Sequence, residues 1–344
     1  MNYYDEIIDY INNQLFEKLF VFHPEYSING NPEKEGLREL KGKETKVIIS
    51  VDRNVLSDIL MAAKNGCFDA CKNKKETTAF LIWVMINNFG ISPYDALKEQ
   101  AFIQKDNISG NKENDIFNYF FDTVKPEVIC KAFYEENVKF TSRSFQEASE
   151  TEILDFFPDN ADFLFLYATI LHLVYELRSG KDRDKQFKDM IKWYWSKCLI
   201  SQIALSYLIL LFTKDGITPP HNYMNNEKVI HGCMNEAMDL YYFQEIDPRR
   251  YPSDQYTLMI ATHDIVMKDV FSSAFDFEGL SSMDEYITRL CCNAPKIKKE
   301  AYTKYVLNEY HNHKMINVDR SNAYEVAQNL CEQEKKQLED LLGI

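Results

Sequence analysis

The chain has 344 residues, of which 45% are hydrophobic and 27% are charged, with 11 glycines and 10 prolines. This composition is typical of a folded protein rich in helix and excludes extensive disorder. The formal net charge of −14 excludes a protein that holds nucleic acid mainly through a broad basic surface, because lysine and arginine contacts to phosphate dominate such binding.

No segment has the pattern of a targeting or membrane-spanning sequence. Residues 1–20 lack the basic start and continuous apolar core of a signal peptide, and the eight cysteines follow no small-domain disulfide spacing. Residues 198–212 are apolar but shorter than the ~20 residues that span a bilayer. We therefore expect a cytoplasmic protein without membrane association, in which residues 198–212 form a buried core helix.

The first predicted elements are a helix, a loop, a strand and a second helix. Residues 1–20 have apolar side chains at helical spacing, and residues 24–45 are polar and read as a loop or linker. Residues 47–51, Val-Ile-Ile-Ser-Val, form a β-branched run typical of a buried strand. This strand ends at Asp52, and a helix is predicted over residues 55–64.

Helices are predicted through the middle of the chain. Residues 76–89 are almost continuously apolar, which predicts a helix buried on most sides. Ser92 followed by Pro93 predicts the start of the next helix, because serine is a favoured N-cap and proline a favoured first helical residue. Two strongly apolar helices are predicted over residues 161–178 and 187–212.

The last part of the chain contains a second predicted strand between helices. Residues 226–246 are predicted to be helical, and residues 258–262, Leu-Met-Ile-Ala-Thr, form a second buried strand two residues before Asp264. The remainder is predicted to be helical, and Ser282 with Glu285 has the spacing of a capping box.

Both predicted strands end at or near a carboxylate. Short apolar strands separated by helices predict a parallel sheet covered by helices, in which the carboxyl ends of neighbouring strands open into one crevice. Asp52 and Asp264 would meet there and repel each other unless a cation lay between them. A hard divalent cation such as Mg²⁺ or Mn²⁺ suits such oxygen ligands.

Four short segments each carry an acidic residue in a distinctive setting. They are Val-Ile-Ile-Ser-Val-Asp52-Arg53-Asn54, the helix start from Ile91 to Glu99, Asn235-Glu236-Ala237-Met238-Asp239, and Leu258-Met259-Ile260-Ala261-Thr262-His263-Asp264. In this order they resemble the four motifs of the PIN-domain, or PIN-like, metal-dependent nucleases. The resemblance covers roughly residues 46–100 and 226–275.

The resemblance implies hydrolysis of a phosphodiester, most often in RNA and otherwise in single-stranded DNA, with bound Mg²⁺ or Mn²⁺. It implies catalytic metal ligands at four carboxylates and a positioning or substrate-binding role at two polar side chains: Asp52, Glu99, Asp239 and Asp264, with Asn54 and Thr262. Asp239 departs from the pattern, because it lies about three turns into its predicted helix. The long, helical segment before it favours control by a protein partner, as in a toxin-like or defence effector.

The resulting expectation is an α/β fold with a PIN-like parallel sheet flanked by helices, a large helical insertion and a helical C-terminal region. Its five segments are an N-terminal helix and linker (1–45), the first half of the core (46–100), the insertion (101–225), the second half of the core (226–280) and the C-terminal region (281–344).

Structural interpretations of the same residues stay open. Asp52 could serve as the N-cap of the helix that follows it, and Asp95 is explained by the favourable interaction of an acidic residue with the first turn of a helix. The basic residues between Arg178 and Lys192 could track a nucleic-acid backbone, although a solvated helix face with aromatic residues packed inward is favoured.

Two other functions compete with the nuclease. One is another Mg²⁺-dependent phosphoryl-transfer hydrolase, such as a phosphatase. Phosphatases of the haloacid-dehalogenase type carry Asp-x-Asp after the first strand, where this chain has Asn54 as the third residue. A non-catalytic helical interaction protein would scatter the four carboxylates over its surface.

Overall fold

The computed structural model describes most of the chain. The described residues are 3–24, 27–28, 31–32, 46–143, 160–197, 201–246, 256–264, 268–276, 280–294, 296–313 and 322–344. They form two compact units. The first unit comprises Met1–Pro158 and Ile246–Ile265, and the second comprises Asp159–Glu245 and Val266–Ile344.

A mixed sheet of four strands organises the first unit. The described strands are β1 (Phe20–Phe22), β2 (Ser27–Ile28), β3 (Asn31–Pro32), β4 (Lys46–Val51), β5 (Gly90–Ser92) and β6 (Tyr256–Thr262). The order in the sheet is β1-β6-β4-β5, in which β6, β4 and β5 run parallel and β1 runs antiparallel to β6. Strands β2 and β3 pair with each other in a separate two-stranded sheet.

Both predicted strands are confirmed, and they are parallel neighbours at the centre of the sheet. The predicted parallel sheet is mixed in the structure, because β1 adds an antiparallel edge that pairs Phe20 with Thr262. The predicted loop over residues 24–45 contains β2 and β3, and most of its other residues lie outside the described part of the chain.

Helices cover the sheet of the first unit. They are α1 (Tyr3–Tyr10), continued by a π-helical segment (Ile11–Leu15), then α2 (Phe16–Lys18), α3 (Arg53–Asn65), a 3₁₀ turn (Phe68–Ala70), α4 (Lys74–Asn87), α5 (Tyr94–Gln104), α6 (Asn107–Thr123) and α7 (Pro126–Tyr134). The alternating apolar residues of the two central strands, Ile49 and Val51 with Met259 and Ala261, enter the core beneath these helices. Asp58 of α3 accepts hydrogen bonds from the backbone nitrogens of Lys72 and Asn73, so it fixes the approach to α4.

Helices are the only regular secondary structure among the described residues of the second unit. They are α8 (Ala161–Arg178), α9 (Arg183–Ser196), α10 (Gln202–Thr213), α11 (Val229–Glu245), α12 (Lys268–Ala274), α13 (Met283–Cys291), α14 (Lys296–His313) and α15 (Ala323–Leu342). The predicted single helix over residues 187–212 is two helices, because Ser201 caps a new helix through the backbone of Ala204.

Helix α10 is buried from Ile203 to Thr213, as expected for a core helix. Among the described residues, no helix has both the length and the apolar character needed to cross a membrane.

The boundaries of the two units do not coincide with those of the five segments predicted from the sequence. The range 226–280, predicted as the second half of one core, contributes β6 to the first unit and α11 to the second. The range 101–225, predicted as one insertion, supplies α6 and α7 to the first unit and α8 to α10 to the second.

Gly66 gives a direct test of the packing that ends α3. Its φ of +61° is left-handed, and an added Cβ would lie 2.5 Å from the carbonyl oxygen of Phe140. We predict that Gly66→Ala lowers the free energy of unfolding by at least ~2 kcal/mol, through left-handed strain and a backbone clash, as measured by urea unfolding followed by circular dichroism.

Gly180→Ala is the matched control. Gly180 has a φ of +73° but no atom within 4 Å of an added Cβ, so it reports the backbone strain alone. Equal losses in the two variants would contradict the predicted clash.

Candidate functional site at the carboxyl end of the sheet

The parallel pairing of β4 and β6 brings the ends of both strands to one edge of the sheet. Val51 is the register partner of Ala261, and the backbone nitrogen of Asp52 donates to the carbonyl oxygen of Ala261 at 2.9 Å. Asp52 thereby lies beside Thr262, the last residue of β6. Residues 52 and 262 meet because the two apolar runs pair in register.

The carboxyl group of Asp52 is held by three hydrogen bonds. Its Oδ2 accepts from Thr262 Oγ1 and from Asn54 Nδ2, both at 2.6 Å, and its Oδ1 accepts from the backbone nitrogen of Arg53. The last bond makes Asp52 the N-cap of α3, so the N-cap interpretation is confirmed. A carboxylate offers about four lone pairs, and this network occupies three of them.

Asn54 and Thr262 tie the first turn of α3 to the end of β6. Asn54 Nδ2 lies 3.1 Å from Thr262 Oγ1, and Asn54 Oδ1 accepts from the backbone nitrogen of His263 at 2.9 Å. Thr262 Oγ1 also accepts from the backbone nitrogen of Asp264 at 3.0 Å. These bonds fix the backbone of Asp264 relative to the side chain of Asp52.

Asp52 and Asp264 are electrostatic neighbours. Burial raises the pKa of the Asp52 carboxyl group, and the negative charge of Asp264 raises it further, whereas hydrogen bonds from Thr262 and from the backbone of Arg53 oppose the shift. Asp52 is only 7% exposed. Two carboxylates 212 positions apart (264 − 52) therefore interact in a setting that disfavours the negative charge of Asp52, which a bound cation would relieve.

Glu99 lies on α5 of the same unit and is buried. One turn earlier, Asp95 accepts a hydrogen bond from Ser50 Oγ at 2.6 Å, and Lys98 Nζ lies 3.4 Å from its other oxygen. Ser50 lies on β4, and Asp52 follows two residues later in extended backbone just after the strand, so both side chains are directed to the same face of the sheet. The interpretation of Asp95 from the helix dipole missed this contact; the polar Ser50 within an apolar strand was the signal for it.

Asp239 lies on α11 of the second unit, in the third turn of that helix. Burial raises the pKa of Tyr207 on α10 well above its ordinary value, and the charges of Glu236 and Asp239 add to the shift. Asp239 thus belongs to a different unit from the other three predicted ligands, and its role at the site stays a prediction.

Two further residues at this edge were missed from the sequence. The guanidinium of Arg53 forms a two-pronged ion pair with Glu113 of α6, which anchors the start of α3. His263 Nδ1 lies 3.3 Å from the carbonyl oxygen of Lys18, and its Nε2 is buried without a hydrogen-bond partner among the described residues. Because a carbonyl oxygen only accepts hydrogen bonds, a proton is assigned to Nδ1.

Within the described parts of the chain, no three His, Cys, Asp or Glu side chains are grouped so that they could hold a metal ion. No protein-family model, no curated protein and no solved structure matches the chain.

The hydroxyl of Thr262 should stabilise the fold as well as orient Asp52. We predict that Thr262→Val lowers the free energy of unfolding by about 1–3 kcal/mol, because the buried Asp52 loses a donor and the backbone of Asp264 loses an acceptor. Thr257→Val in the same strand is the control, because Thr257 is only half-buried. Equal effects in urea unfolding would contradict the proposed network.

The raised pKa of Asp52 also predicts a pH dependence of stability. The folded state binds this proton more tightly than the unfolded chain, whose aspartates titrate near pH ~3.9. The resulting stabilisation is present below that pH and is lost as the pH rises through the folded pKa. In a metal-free buffer, Asp52→Asn should flatten this decline in urea-unfolding free energy, and a parallel decline in both proteins would refute the assignment.

Proposed function

We propose that the chain is a metal-dependent phosphodiester hydrolase that cleaves RNA at the carboxyl end of its sheet. The observation that carries the proposal is that Asp52 and Asp264 follow two adjacent parallel strands and lie close enough for their negative charges to repel each other. Structural capping of α3 accounts for Asp52 but not for a second carboxylate beside it. Like charges, one of which is buried, favour a site that receives a cation.

The donor atoms fit a hard divalent cation held by few protein ligands. Asp52 Oδ1 accepts one hydrogen bond, so one of its lone pairs is available to a metal. Mg²⁺ is usually bound through one or two carboxylates together with waters and substrate phosphates, so a cage of three protein groups is not required. Asp52 and Asp264 would hold Mg²⁺ or Mn²⁺, which when bound neutralises phosphate charge and lowers the pKa of an attacking water.

The neighbouring side chains position these two carboxylates. Thr262 and Asn54 hold one oxygen of Asp52, and Asn54 also holds the backbone of His263. Their hydrogen bonds support a positioning role; direct binding of substrate by Asn54 and Thr262 is a separate prediction.

RNA is the proposed substrate and single-stranded DNA the alternative. A non-catalytic helical interaction protein is the competing function, and it is favoured by the lack of a three-residue metal-binding group among the described residues. Both proposals are compatible with a regulatory protein partner. The two functions differ in whether the protein cleaves RNA when a divalent cation is present.

Substitutions of the paired carboxylates test the proposal. We expect Asp52→Asn and Asp264→Asn each to lower the rate of Mg²⁺-dependent cleavage of labelled RNA by ~10²-fold or more, because each removes a charge that holds the metal. Asp122→Asn is the matched control, since Asp122 is an exposed aspartate of the same unit. A chelator should abolish wild-type cleavage. Cleavage that persists in the chelator or in either variant would overturn the proposal.

Two more variants define how many carboxylates take part. Glu99→Gln and Asp239→Asn should each reduce cleavage if all four predicted ligands act together. An Asp239→Asn variant with wild-type cleavage would confine the site to the first unit.

A further inference from the structure

The basic residues between Arg178 and Lys192 divide into two groups. One group supports the second unit itself. Arg178 donates to the carbonyl oxygen of Tyr223 at 2.9 Å, Lys181 pairs with Glu176 at 2.7 Å, and Arg183 donates to the backbone of α10. These three side chains are committed to the fold.

The other group is Lys185, Lys188 and Lys192 on α9, which we call the lysine ridge. All three are exposed, and none forms an ion pair with a described residue. Their spacing of three and four residues places them on one face of the helix. With a rise of 1.5 Å per residue, the ridge spans ~10 Å along the helix axis.

Helix α14 packs beside the ridge and contacts Lys188. Tyr305 donates a hydrogen bond to the carbonyl oxygen of Lys188 at 3.1 Å, and Lys188 Nζ lies 5.9 Å from the centre of the Tyr305 ring. Lys298 forms a 2.6 Å pair with Asp184, but both side chains are 45% exposed, so the pair is weak.

Three acidic residues lie near the ridge: Asp182 accepts from the backbone nitrogen of Lys185, and the charge of Lys188 also acts on Asp184. Asp184 accepts from Lys298 and from Tyr302, and Asp189 pairs with Lys181 at 2.7 Å. None of the three lysines forms an ion pair with a described residue, although the chain as a whole carries a formal charge of −14. This contrast marks the ridge as a surface for an anionic partner.

The aromatic residues that follow the ridge in sequence are not stacking platforms. Trp193 stacks on His172 at a ring-centroid distance of 4.3 Å and donates to Glu334, while Tyr194 and Trp195 are buried. This part of the sequence-based interpretation is confirmed. The ridge consequently offers charge without base stacking, which suits recognition of phosphates without regard to base sequence.

We propose that the lysine ridge binds the phosphate backbone of single-stranded RNA. The choice of RNA rests on the proposed nuclease function, whereas the ridge itself rests on exposed, aligned lysines that form no ion pair with a described residue. Three lysine contacts release counterions and give a salt dependence of about −2 in log K against log salt, at about −0.7 per contact for single strands. Binding is therefore modest, and steep salt dependence is not expected.

The test compares the triple variant K185Q/K188Q/K192Q with wild type by fluorescence anisotropy, using a labelled 30-nucleotide oligouridine in chelator, so that cleavage is suppressed. We expect RNA affinity at 0.1 M salt to fall tenfold or more, and the salt slope to become shallower by about 2. The matched control K125Q/K131Q/K139Q removes three exposed lysines of the first unit and should bind as wild type. Unchanged affinity and slope in the ridge variant would overturn the proposal.

Two further comparisons distinguish RNA from a membrane as the partner, and the ridge proposal from the nuclease proposal. Anionic phospholipid vesicles are titrated in parallel, and ridge-dependent binding to vesicles but not to RNA would overturn the assignment to RNA. RNA binding through the ridge without Mg²⁺-dependent cleavage would sustain the ridge and reject the nuclease, whereas cleavage with a ridge variant that binds normally would reject only the ridge.

Discussion

The burial of Asp52 is the constraint on which the carboxyl end of the sheet depends. A buried carboxylate is costly unless hydrogen bonds compensate it, and donors from Thr262, Asn54 and Arg53 converge on its two oxygens. These donors come from the end of β6 and the first turn of α3, so Asp52 can be satisfied only when β4 and β6 pair in their observed register. The same network fixes the backbone of Asp264, which links the stability of the fold to the geometry of the candidate site.

Patterns within a few residues predicted the central strands and many of the helices. The β-branched run that ends at Asp52 needs only local composition to be recognised, and Ser282 accepts from the backbone of Glu285 as half of the predicted capping box. Strands β1 and β5 were missed because each has three residues, too few for a periodic pattern to emerge. The antiparallel direction of β1 depends on pairing with a strand more than 230 positions away, which local sequence does not encode.

The site was predictable only in part for the same reason. Strand ends identified Asp52 and Asp264, because parallel strands deliver their carboxyl ends to one edge. The contact between Ser50 and Asp95 joins a strand to a helix 45 positions away, and capping rules for a single helix do not predict it. Asp239 matched a motif by spacing, but spacing carries no information on how the chain divides into units. The lysine ridge was visible as charge, yet only side-chain contacts separated its members from the basic residues that hold the helices together.

The central claim is that Asp52 and Asp264 together bind a divalent cation. The most direct measurement is anomalous X-ray scattering from crystals of the full chain soaked in Mn²⁺. The account predicts a peak within ~2.0–2.6 Å of a carboxylate oxygen of each residue, the range for hard cations with oxygen ligands, and no such peak in crystals of Asp264→Asn. A wild-type map without a peak between these two carboxylates, at Mn²⁺ concentrations that support activity, would contradict it.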